Sequence, residues 1–173
     1  MKVTGYILRE ALKRHELRRE VAARTFDDSL KAFPGEVKDN PVDIVEQFLA
    51  AERATAALQT AQMRYNLAVK VNLHGHGWDH TTMTLAEAIK LVGGEGRVEK
   101  MWRSAASPGK KDRYYSEDEI DPSHIRAQPT MKPQEAVKLA TEAGRRAGAL
   151  RAAIATANAT EVEIEDLSPA LFE

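Results

Sequence analysis

Between Pro41 and Asn72, one repeating pattern limits what the chain can fold into more than any other feature. Ile44, Phe48, Ala51, Thr55, Leu58, Gln62, Tyr65 and Val69 recur at alternating steps of four and three. That spacing keeps a single stripe of an α-helix facing a neighbouring helix, and it predicts a helix over residues 42–72. A stripe this long has to be covered by another long helix. The start is marked locally: Asn40 can accept an orphan backbone N–H, and Pro41 stands in the first turn, where a missing N–H costs nothing.

The other helices follow from similar signals. Residues 4–24 read as a helix with Thr4 as N-cap and Leu8, Ala11, Leu12, Val21 and Ala22 on a broad apolar face. Pro34, Gly35, Asn40 and Pro41 then interrupt the pattern, and the loose alternation of Phe26, Asp28 and Leu30 allows a short strand around 26–33 or a plain loop. Thr84-Leu85-Ala86-Glu87 is a capping box, so a third helix starts there, and Val98, Met101, Trp102 and Ala105 extend its face past Gly93, Gly94 and Gly96. Each glycine costs about 1 kcal/mol against alanine inside a helix, which predicts a kink or the close crossing of another backbone. Residues 106–132 form a long polar connection that can include a strand around 120–131. Pro133 opens a last helix lined by Val137, Ala140, Gly144, Ala147, Leu150, Ile154 and Ala157, small residues that let helices approach closely. Val162 and Ile164 alternate with polar neighbours, a short strand around 160–167. The expected fold is mainly α: four long helices in antiparallel hairpins or a bundle, with minor short strands, forming a single helical domain over residues 1–173.

Composition narrows the function. With 25 basic and 26 acidic residues mixed along the chain, the field needed to neutralise many phosphates is missing, and nucleic acid is not an expected partner. The segment Lys110, Lys111, Asp112, Arg113, Tyr114, Tyr115 mixes base and aromatic character, but Glu117, Asp118 and Glu119 follow and offset it. The absence of cysteine excludes disulfides and thiolate metal sites and fits a reducing cytoplasm. Only Tyr6, Ile7 and Leu8 stand together as an apolar trio before charge resumes at Arg9, and no apolar run approaches the roughly 20 residues that span a bilayer. A cytoplasmic protein with no membrane partner is expected.

Chemistry has one candidate location. Leu73-His74-Gly75-His76-Gly77-Trp78-Asp79-His80 gathers three of the five histidines and a carboxylate. His74, His76, Asp79 and His80 are suitable ligands for a divalent transition metal, and the glycines let neighbouring side chains turn towards one point. Polar turns also collect His, Gly and Asp for hydrogen bonding alone. No catalytic residues stand out. His15 lies in HELRRE, which has Arg19 where a zincin needs its second histidine; a partly buried helix histidine bonded to a carboxylate is expected instead. His124 reads as a loop residue. GGEGRVEK has no phosphate-loop spacing, and neither a G-x-S-x-G pattern nor a cysteine nucleophile exists.

Five segments in order resemble the septicolysin-like family of small bacterial helical proteins. They are the opening from Leu8 to Leu17, RYNLAV at Arg64–Val69, TLAEAI at Thr84–Ile89, RYYSEDEI at Arg113–Ile120 and IATANATEVEI at Ile154–Ile164. The resemblance spans nearly the whole chain and implies helical hairpins with minor strands, assembled as a homo-oligomer, with no established activity. HGHGWDH departs from the simpler turn of the family. The apolar stripes over 44–69 and 137–157 also motivate self-association. A non-enzymatic, self-assembling helical scaffold or interaction protein is thus the leading expectation. A metal-binding protein or metal-dependent enzyme using loop 74–80, and a phage structural or assembly component, are the alternatives.

Overall fold

The structure, a computed structural model, describes residues 1–107 and 131–173. The strand expected around 120–131, the Lys110–Tyr115 segment and His124 lie outside the described residues. Four long helices dominate: α1 (Gly5–Ser29), α2 (Pro41–Ala68), α3 (Leu85–Ala106) and α4 (Pro133–Asn158). Among the described residues, four strands accompany them: β1 (Lys2–Val3), β2 (Lys70–Gly75), β3 (Trp78–Thr84) and β4 (Val162–Glu163). They make two antiparallel pairs, β1 with β4 and the β2–β3 hairpin. The architecture is mainly α with minor β. Two compact units can be distinguished, and α3 and α4 contribute residues to both.

The first unit comprises Met1–Val71, Thr84–Ala86 and Ala155–Glu173. Thr4 Oγ1 accepts from the Ile7 N–H and Asn40 Oδ1 from the Val42 N–H, so both helices begin at the expected caps. Gly5 lies against Tyr65, and Arg19 bonds Glu52 at 3.0 Å further along, so α1 and α2 run antiparallel. The α2 stripe is buried at Ile44, Ala51, Thr55, Leu58, Tyr65 and Val69. It is consumed within the protomer, so it is not available to join subunits as the sequence suggested.

Two boundaries differ from the sequence reading. α1 continues through Ser29, so residues 26–29 are its last turn rather than a strand, and Phe33 to Asn40 form no strand either. Nothing between Arg24 and Ser29 breaks a helix, and the first proline stands only at 34. α2 stops at Ala68, four residues early. There the burial period changes from helical to two: Val69, Val71 and Leu73 are buried while Lys70, Asn72 and His74 are exposed. The Leu85 N–H donates to the Val69 carbonyl at 2.9 Å and closes the base of the hairpin.

Tyr65 fastens this unit. Fully buried, its hydroxyl lies 2.9 Å from the Ala157 carbonyl and 2.8 Å from that of Thr160, so one proton is shared between two carbonyls at the end of α4, and the Ala157 carbonyl also accepts from the Thr160 N–H at 3.1 Å. Burial pushes the Tyr65 phenol above its ordinary value, a backbone bond with Gly5 opposes that shift and the neighbouring Tyr6 adds to it. A Cβ at Gly5 would stand 2.2 Å from Asn158 Oδ1 and 2.9 Å from Tyr65 Cε1, so only glycine fits there. Lys2 pairs with Glu163 and Val3 with Val162 across β1–β4. The 3₁₀-helix Pro169–Phe172 is held by α1: Arg14 Nη2 donates to the Phe172 carbonyl at 2.9 Å and His15 Nε2 to that of Leu171 at 3.0 Å. His15 is buried as expected, but its partner is a backbone carbonyl instead of a carboxylate.

The second unit comprises Asn72–Met83 and Glu87–Ile154. Ala136, Ala140, Ala143, Ala147 and Leu150 are buried at steps of four and three, so the small-residue stripe of α4 is likewise used within the protomer. Arg146 Nε bonds Glu95 Oε2 at 2.9 Å, and a Cβ on Gly144 would meet the Glu99 carboxylate at 3.3 Å, which sets α3 and α4 antiparallel. Among the described residues, no backbone crosses at the α3 glycines. A Cβ on Gly94 would meet nothing within 4 Å, and on Gly93 or Gly96 only the ends of Arg97 and Arg151. α3 runs unbroken past them.

Candidate functional site: the histidine hairpin

The segment read as a loop is the tip of the β2–β3 hairpin. His76 and Gly77 connect the strands with φ of 54° and 86°, the positive values that tight hairpin turns demand and that Gly, and His more than most residues, tolerate. Gly75 is also left-handed, at 75°. Within β3, His80 has φ of 46°, a local irregularity that re-aims a strand side chain. Its cost is about 1–3 kcal/mol for a non-glycine residue, borne by the surrounding structure.

The register is legible from the side chains. Thr82 Oγ1 donates to Asn72 Oδ1 at 2.8 Å, and one step nearer the tip His74 faces His80, with ring centroids 4.9 Å apart and planes inclined at 68°. Both rings are exposed, and among the described residues neither has a hydrogen-bond or ion-pair partner. Trp78 anchors the tip: its Nε1–H donates to the Arg146 carbonyl at 3.4 Å, and Gly77 sits over the Arg146 side chain. The Arg146–Glu95 ion pair, both side chains largely covered, fixes that platform. Sequence reasoning missed this support, although Trp78 beside Gly77 among the three histidines was its visible trace.

Of the four proposed ligands, then, the structure brings His74 and His80 together. His76 belongs to the turn, and neither it nor Asp79 joins His74 and His80 in a cluster of three or more. A four-ligand shell from this one segment does not form: among the described residues no group of three or more His, Asp or Glu side chains could hold a metal ion. Among the described residues, too, no helix is long and apolar enough to cross a membrane.

The fold is mainly α, with long helices and two small two-stranded antiparallel sheets. No protein-family model matches it, and no curated protein matches it. Among solved structures it is similar to a functionally unknown conserved protein from Corynebacterium diphtheriae, with a TM-score of 0.68 and 19% identity, over 94% of this chain and 100% of that one. This likeness concerns the fold.

Proposed function

We propose that the protein is a non-enzymatic helical scaffold whose working form is a homo-oligomer, assembled through the end of the α1–α2 hairpin next to residues 30–40. One observation carries this reading: a second apolar stripe lies beside the buried one. Val42, Val45 and Leu49, at helical steps of three and four, are 63%, 42% and 45% exposed, and Leu17 and Val21 on α1 are 59% and 53% exposed. A helix that keeps its core stripe buried and still shows a second one presents a surface suited to a partner.

A groove of about 620 Å³ lies between Leu17, Val21, Ala22 and Ile44, with Arg18 and Asp39 also on its walls. On Ala22, Phe26, Val45 and Phe48 a second, almost wholly apolar hollow of about 240 Å³ opens. A face that carries both signs of charge is complementary to itself under a two-fold rotation, which can set Arg18 of one copy against Asp39 of another. A second copy of this chain is therefore the occupant.

Sedimentation of the full chain at concentrations up to about 100 µM tests this, because an interface of ordinary size holds well below that. The wild type should sediment as an oligomer, and Val45→Glu should weaken association by about 2–3 kcal/mol, roughly a hundredfold. A wild-type monomer throughout the range would overturn the reading.

A further inference from the structure

We propose that His74 and His80 form a two-imidazole site for a divalent transition-metal ion of the copper, nickel and zinc class, with water in its remaining positions. The inference rests on the hairpin alone and is independent of self-assembly.

The separation of the rings carries it. With metal–nitrogen bonds of about 2.0–2.1 Å and a ring centre about 1.1 Å beyond the nitrogen, two imidazoles on one ion have centroids about 4.5–5.2 Å apart, from a right-angled to a tetrahedral pair. The observed 4.9 Å falls inside that interval. The rings now meet edge to face at 68°, and rotation about the last side-chain torsion, a broad and soft one for histidine, turns a nitrogen of each towards a shared point. Exposure leaves room for that rotation, and neither ring has a hydrogen bond to give up among the described residues.

Preorganisation is the second support. Strands hold the two backbones at a fixed spacing, the Thr82–Asn72 bond pins the neighbouring pair, and Trp78 ties the tip to α4. The left-handed backbone at His80 is maintained at a cost, and it lies at one of the two donors. A chelating pair held in this way binds more tightly than two independent surface histidines because the second nitrogen is already in place. Neutral nitrogen donors favour copper over nickel, and both over the earlier first-row metals.

The test uses the untagged full chain, titrated calorimetrically with Cu²⁺ and, separately, Ni²⁺. His74, His76 and His80 are each replaced by Asn, which keeps a polar side chain and tolerates positive φ. One dominant site per chain is expected, with His74→Asn and His80→Asn each lowering affinity by at least about tenfold and His76→Asn by less than about threefold. The paramagnetic ion should also broaden the ring signals of His74 and His80 before those of other histidines. Equal losses for all three variants, or no wild-type binding tighter than millimolar, would overturn the proposal. Unchanged thermal unfolding of each variant without metal assigns the losses to the site.

Discussion

Replacing Tyr65 by Phe keeps the buried ring and removes one oxygen, which makes it a sharp test of how the first unit is closed. The lost hydroxyl lies 2.9 Å and 2.8 Å from two carbonyls at the end of α4. A single proton cannot fully satisfy both, the Ala157 carbonyl keeps the Thr160 N–H as a partner and Thr160 itself is exposed, so the loss amounts to about one net hydrogen bond, about 1 kcal/mol. For a chain of this length each kcal/mol moves Tm by about 2–4 °C, which is the expected drop. Because the phenol is pushed above its ordinary value of 10.0, the unfolded chain releases that proton first as pH rises. The group therefore leaves stability intact below about pH 10 and diminishes it above, and Tyr65→Phe should flatten that part of the alkaline decline. Differential scanning calorimetry at neutral pH and above pH 10 reads both effects, and hydrogen exchange should show the β1 and β4 amides losing protection. A Tm within about 1 °C of wild type, with unchanged exchange at those strands, would refute the assignment of Tyr65 as the fastener.

Gly5→Ala should be more damaging than an ordinary helix substitution, although alanine is the better helix former. The new Cβ meets Asn158 and Tyr65 well inside contact distance, and denaturant unfolding should show a loss of about 2 kcal/mol or more. Thr55→Val should have the opposite sign. Among the described residues the buried Thr55 hydroxyl has no hydrogen-bond partner, so an isosteric methyl removes an unmet desolvation cost and should raise stability by about 1 kcal/mol in the same assay.

What the sequence revealed was what short-range physics decides. Thr4, Asn40 with Pro41, and Pro133 mark helix starts where the structure has them, because capping requires only neighbours three or four residues away. The seam from Ile44 to Val69 was readable for the same reason. The hairpin was not, since Val69, Val71 and Leu73 fit the end of the helical stripe as well as a strand, and the choice depends on a partner strand beyond the turn. Phe26 to Leu30 misled in the opposite sense, with a chance alternation laid over residues that simply continue α1. At the candidate site composition identified the segment, but which two of its four ligands meet is a matter of register, set by the turn at His76 and Gly77.

The pairing of β1 with β4 also sets a timetable for the nascent chain. Lys2 and Val3 are synthesised long before their partners Val162 and Glu163. The two carbonyls that Tyr65 grips emerge equally late. On the ribosome, α1 and α2 can meet through local closure, but they must wait with one end of their hairpin uncovered until Val162 and Glu163 have been made. During that interval the protein depends most on whatever shields nascent helices from one another.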